Sequence, residues 1–179
     1  MYYSTKYPSP VGSITLACAD DHLVGLWIEG QKYHGGALKG AMSPKDDAPV
    51  FAAAKRWLDR YFAGENPAVS DVPLAPIGTT FRRAVWDILC KIPYGRYVTY
   101  GSIAKAMADA TDRPSMSAQA VGGAVGHNPI SIIIPCHRVV GASGSLTGYA
   151  GGIGVKARLL ELEGADMSKL FAPTRGTAL

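Results

Sequence analysis

The sequence predicts an α+β chain in two parts: a small antiparallel sheet backed by one helix, then a half built from helices. Three observations carry this. Strand-like runs crowd the first thirty residues, helical periodicity takes over from Thr80, and Pro67 to Pro76, with three prolines among small residues, separates the two patterns. The expected divisions are 1–76 and 77–170, with 171–179 a loose tail.

Composition supports a folded chain. Of 179 residues, 47% are apolar, enough for a sizeable core. Lys plus Arg (18) exceed Asp plus Glu (14), a net charge of +4 that suits a polyanionic partner without demanding one. Three scattered cysteines, Cys18, Cys90 and Cys136, form no CxxC pair and no Cys/His cluster at zinc spacing, so neither a disulfide framework nor a metal site is expected. The first residues lack an apolar signal core, and no apolar run approaches the ~20 residues of a spanning helix. A reducing cytoplasm is the expected location, with no membrane contact and Cys136 as a free thiol.

Taken in order, Tyr2 to Tyr7, Ser13 to Cys18 and Leu23 to Ile28 read as strands, with turns at Pro8-Ser9-Pro10 and Asp20-Asp21. They make a three-stranded antiparallel meander. Gly30 to Pro49, rich in Gly, Lys, Asp and Ser, reads as a loop. Val50 to Phe62 has helical period and Gly64 ends it. Thr80 is expected to cap a helix whose Phe81, Val85, Trp86 and Leu89 share one apolar face, with Cys90 a structural continuation. Ile92 to Gly95 is a turn and Tyr97 to Tyr100 a short extended piece. Gly101 to Met107 and Ser117 to His127 then form two short helices around Arg113-Pro114, a helix-turn-helix.

The second of these helices is nearly bare of bulk at Ala120, Gly122, Gly123, Ala124 and Gly126. Each glycine costs ~1 kcal/mol relative to alanine, so the run needs close approach of another surface. A nucleic-acid groove or a tightly packed neighbouring helix would serve equally. Asn128-Pro129 stops the helix. A glycine-dense loop from Gly141 to Gly152 leads to a last helix, Val155 to Glu163, with Leu159, Leu160 and Leu162 inward.

The chemistry concentrates between these elements, in Ile132-Ile133-Ile134-Pro135-Cys136-His137-Arg138-Val139-Val140. Three β-branched residues argue for a short buried strand that Pro135 ends, delivering Cys136 to the rim of a core. A buried cysteine is most often an inert hydrophobe. His137 and Arg138 alter that, because a neighbouring cation favours the nucleophilic thiolate.

The strings Gly126-His127-Asn128-Pro129, Ile134-Pro135-Cys136-His137-Arg138-Val139, Gly148-Tyr149-Ala150-Gly151-Gly152, then Lys156 and Leu159 to Gly164, resemble the O6-alkylguanine-DNA alkyltransferases, the methylated-DNA-protein-cysteine methyltransferases. The resemblance covers the second half from about Phe81 to Gly164, and the layout of the first half agrees. It implies an N-terminal domain of ribonuclease-H-like topology and a winged-helix-like C-terminal domain, working as a monomer on double-stranded DNA. It also implies irreversible, single-turnover transfer of an alkyl group from O6-alkylguanine, with O4-alkylthymine a further substrate, after the base is flipped from the minor groove. No cofactor is expected.

Carried over by the resemblance, Cys136 is the alkyl acceptor, and His137 links it through a water to Glu163. Asn128 is the hinge asparagine and Tyr100 lies near the purine. Tyr149, Ala150, Val139 and Lys156 would bind substrate, although Tyr100 and Tyr149 could equally be core aromatics and Asn128 a plain helix stop. DNA contacts fall on Gln119, Ala120, Gly122 and Gly123, and on Arg138. His137 and Glu163 are expected to lower the Cys136 pKa. His22, His34 and His127 read as surface or loop residues.

One position departs from the family pattern. Gln119 stands where an arginine commonly enters the duplex, and the preceding turn, Ala108 to Ser117, is longer. Glutamine can hydrogen-bond an orphaned base but brings no charge; Arg113 could compensate. Two other functions compete. A cysteine hydrolase would use Cys and His with repeated turnover. A binding-only DNA module would have no use for sulfur at residue 136.

Overall fold

The computed structural model describes residues 1–174. Its order begins β1 (Tyr2–Ser9), β2 (Gly12–Ala19), β3 (His22–Ile28), β4 (Met42–Pro44) and α1 (Pro49–Phe62). The meander is present, with Thr5 opposite Leu16 and Leu16 opposite Leu26, both pairs antiparallel. A fourth strand extends it. Tyr2 pairs with Met42 in parallel, so the stretch read as a continuous loop carries β4, three residues too short to leave a pattern. Inward Ile14, Leu16, Leu26 and Ile28 meet Val50, Phe51, Ala54, Trp57, Leu58 and Tyr61 of α1, whose apolar positions recur at helical spacing.

The second half runs α2 (Thr80–Leu89), β5 (Val98–Thr99), α3 (Tyr100–Ala110), α4 (Ala118–Gly126), β6 (Val139–Val140) and α5 (Ile153–Leu162). Thr79, not Thr80, caps α2: its hydroxyl accepts from the Arg82 amide at 3.3 Å. Thr99 likewise caps α3 in a reciprocal capping box with Ser102, so Tyr100 opens a helix rather than ending a strand. α5 begins two residues before the expected start.

Val85, Trp86 and Leu89 of α2 pack with Val121, Ala124 and Val125 of α4, and the Trp86 indole donates to the Ala124 carbonyl at 2.9 Å. Core residues from both halves form one continuous cluster, from Ile14 to Leu159. At the chain end, Phe171 is tied down: Leu146 N donates to its carbonyl at 2.9 Å, and its amide donates to Gly144 O at 3.1 Å. These two backbone bonds hold the first residue of the expected loose tail, and 175–179 lie outside the described residues. No helix among the described residues is long and apolar enough to cross a membrane.

Candidate active site

The open edge of β3 holds the reactive segment. Leu26 N donates to Pro129 O and Ser131 N to Leu26 O, both at 2.9 Å, so the chain enters the site paired in parallel with the N-terminal sheet. It then turns sharply twice. Ile133 N reaches back to Ser131 O at 2.8 Å with Ile132 at φ +69°, a γ-turn that is rare and strained for a β-branched residue. Cys136 N does the same to Ile134 O at 2.8 Å, around Pro135 at φ −81° and ψ +64°, the relaxed inverse form. The three isoleucines are buried, as expected, but they are turned rather than extended: β-branching signals burial here, not a strand.

Asn128 holds this double turn. Its Oδ1 accepts from Ile130 N at 3.0 Å, while Nδ2 donates to Ile134 O at 2.8 Å and to Cys136 Sγ at 3.0 Å. It is thus both a helix stop and a clamp on the thiol, and it links α4 to residue 136.

Glu163 caps α5 and gathers five donors. Oε1 accepts from His137 Nε2 (2.6 Å), Tyr61 OH (2.8 Å) and Arg138 Nη2 (3.0 Å); Oε2 accepts from Arg138 Nε (2.8 Å) and Gly95 N (3.1 Å). Burial opposes the charge, yet bonds from His137 and Arg138 outweigh it and hold the carboxyl down at about 2. Burial pushes His137 below the usual imidazole range, so the ring is neutral at pH 7. A carboxylate can only accept, which puts the ring proton on Nε2 and leaves a lone pair on Nδ1. Nδ1 is buried and has no hydrogen-bond partner among the described residues.

Cys136 is 3% exposed. Burial pushes its thiol up to about 11, although the Asn128 bond, the Lys156 charge and backbone amides pull the other way. This reverses the expected direction. Arg138 is committed to Glu163, leaving desolvation as the larger effect. Lys156 is itself buried, which draws its ammonium down to about 7; its Nζ donates to Thr147 O at 2.6 Å. Tyr100 OH donates to the same carbonyl at 3.0 Å and to Gly148 O at 3.2 Å. Gly148 sits at φ +82°, and a Cβ there would collide with the Tyr100 hydroxyl, so this loop closes on Tyr100 only with glycine.

Beside this cluster opens a cavity of about 560 Å³ bordered by Tyr33, Tyr100, Gln119, Gly122, Gly123, His127 and Gly148, among others. A side chain at Gly123 would meet nothing within 4 Å, and one at Gly122 only the Tyr100 ring at 3.8 Å. The neighbouring helices account for Val121, Ala124 and Val125, whereas the bare face of α4 looks into open space. Gln119 and Ala120 are exposed on that helix, and Arg113 is exposed in the turn before it.

Residues 1–76 match the family model of the 6-O-methylguanine DNA methyltransferase ribonuclease-like domain, and residues 80–165 match that of the same family's DNA binding domain. The chain belongs to the 6-O-methylguanine DNA methyltransferase family. A methylated-DNA–protein-cysteine methyltransferase from Haemophilus influenzae is 42% identical over 161 residues, 90% of this chain and 86% of that protein. One from Mycobacterium tuberculosis is 46% identical over 163 residues, 91% and 93% of the two. The crystal structure of M. tuberculosis OGT in complex with DNA matches with a TM-score of 0.77 at 43% identity, covering 97% of this chain and 95% of that one.

Within this 6-O-methylguanine DNA methyltransferase fold, Cys136, His137, Glu163 and Asn128 come together. Tyr100 and Lys156 meet at the Thr147 carbonyl. Tyr149 is buried with its ring 6.5 Å from His137 at 81°, Ala150 is half-buried, and Val139 lies wholly in the core, pairing with Val98. Arg138 is a correction. It is buried, with its guanidinium spent on Glu163 and, at 2.6 Å, on Ile92 O, so it has no free face for a phosphate. Sequence reasoning missed Tyr61, which reaches the site from α1, and Gly95 N. Neither carries a motif: Tyr61 looks like any apolar position of an amphipathic helix.

Proposed function

We propose that the chain repairs duplex DNA by moving the alkyl group of O6-alkylguanine irreversibly onto Cys136 Sγ, once per molecule. One observation carries this reading: a buried thiol, clamped by Asn128, is followed by a neutral histidine that Glu163 holds in its Nε2–H tautomer, while Tyr100 and Gly148 border a cavity walled by α4. The resting pair is thiol and imidazole. A water between Sγ and Nδ1 carries the thiol proton to His137 as sulfur attacks, and Glu163 stabilises the imidazolium that forms. The S–C bond forms and the C–O6 bond breaks, and the imidazolium then gives the proton up again, so that the displaced guanine ends neutral and His137 returns to imidazole. Because a thioether offers no acyl carbon to water, the protein is spent.

The partner is double-stranded DNA, entered from the minor groove by α4, with Gln119, Ala120, Gly122 and Gly123 at the contact. Tyr100, Tyr149, Ala150, Val139 and Lys156 shape the base pocket. No cofactor is used, the working unit is a monomer, and the setting is the cytoplasm, where the thiol stays reduced. Cys136→Ser tests the division of labour. It should bind methylated duplex in a salt-dependent way and remove no methyl group; demethylation by this variant would overturn the assignment.

A further inference from the structure

The N-terminal half contributes a hydroxyl to the acid-base pair, and we propose that Tyr61 is a positioning residue that orients Glu163 and sets how readily His137 takes a proton. This rests on the alkyl-transfer reading above and deepens it.

Tyr61 lies in the last turn of α1, whose other buried residues are Val50, Phe51, Ala54, Trp57 and Leu58. Its hydroxyl donates at 2.8 Å to the same Glu163 oxygen that accepts from His137 Nε2 at 2.6 Å, and lies 3.4 Å from that nitrogen. The ring is fixed by neighbours: stacked on Trp57 at 5.3 Å and 11°, and edge-on to Tyr94 and His137. Burial, then the charge of Glu163, raise the phenol's pKa far above the usual range, so at working pH it can only donate to the carboxylate.

Two consequences follow. Sharing Oε1 with a second donor withdraws charge from the oxygen facing His137, which makes imidazolium less favourable and keeps the ring neutral. It also fixes the carboxylate plane, so that Nε2 and not Nδ1 meets an acceptor. The other groups facing His137 are Arg138 and Lys156, which disfavour its charge, along with Glu163 and Tyr149. Among the described residues, Tyr61 is the hydrogen-bonding group on Glu163 that comes from the N-terminal half.

The test measures the single-turnover rate of methyl transfer from a methylated duplex between pH 5 and 9, in the full chain. Tyr61→Phe removes the hydroxyl alone. It should move the acid limb of the profile upward by roughly one pH unit, with the dissociation constant for duplex changed less than about twofold. Replacing Tyr61 by 3-fluorotyrosine strengthens the donor and should move the limb downward. That arm remains available should the phenylalanine variant fail to fold. A rate lowered equally at every pH, or a limb unmoved by either change, overturns the proposal. Glu163→Gln separates it from its premise. If that variant leaves the profile unchanged the relay itself is wrong; if it shifts the profile while the Tyr61 variants do not, only the role of Tyr61 is wrong.

Discussion

Replacing Arg138 by methionine distinguishes a structural cation from a DNA contact. Its guanidinium makes two bonds to Glu163, at 2.8 and 3.0 Å, and one to Ile92 O at 2.6 Å, all out of solvent. Removing one partner of a buried pair typically costs about 3 to 5 kcal/mol, since the remaining charge is left uncompensated. For a chain of this length, that lowers the melting temperature by roughly 10 °C. A phosphate-contacting arginine behaves differently: its loss leaves stability within about 0.5 kcal/mol and reduces the slope of log affinity against log salt by about one. Thermal melting and duplex titrations at several salt concentrations, both at pH 7.5, read the two effects. A melting point lowered by about 10 °C with an unchanged salt slope is expected. An unchanged melting point with a slope reduced by one would refute the structural assignment.

Three further outcomes are expected. Gln119→Arg should speed repair of a methylated duplex by roughly fivefold while leaving reaction with free O6-methylguanine base unchanged, and the gain should shrink in high salt; equal changes toward both substrates would place residue 119 in the pocket instead. Glu163, held at about 2 against an ordinary 4.5, stabilises the fold by about 3 kcal/mol at neutral pH. Its folded value is depressed, so this contribution is complete above pH 4.5 and lost as pH falls toward 2. Denaturant melts of wild type and Glu163→Gln should therefore diverge in pH dependence only across that window, and parallel curves there would contradict it. Finally, with its thiol raised to about 11, Cys136 should react with iodoacetamide at a rate still climbing through pH 9; a plateau near neutrality would mean that the resting residue is a thiolate.

The parts legible in the sequence were those written in strong local signals. Alternating strands, the amphipathic faces of α1 and α2 and the glycine-bare α4 each state their own geometry. The strings around Cys136, with the resemblance they carry, singled out Cys136, His137 and Glu163, and the fold brings His137 and Glu163 to 2.6 Å. What the residues did not state was how distant pieces meet. Arg138 follows a histidine in a basic string and so resembles a surface cation; its burial depends on Glu163 arriving from 25 positions away. Tyr61 depends on a contact across 102 positions. The acidity of Cys136 was misjudged for the same reason, because neighbours in sequence supply charge while neighbours in space supply desolvation. The isoleucine run failed differently: β-branched residues are chosen for burial, and Asn128 imposes turns that their own preference opposes.

Mass spectrometry of the protein after mixing with an excess of O6-methylguanine duplex tests alkyl transfer most directly. The intact protein should gain 14 Da, about one methylene equivalent in mass and no more, with peptide mapping placing it on Cys136. Repeated turnover without a mass gain, or a methyl group on Cys18 or Cys90, would contradict it.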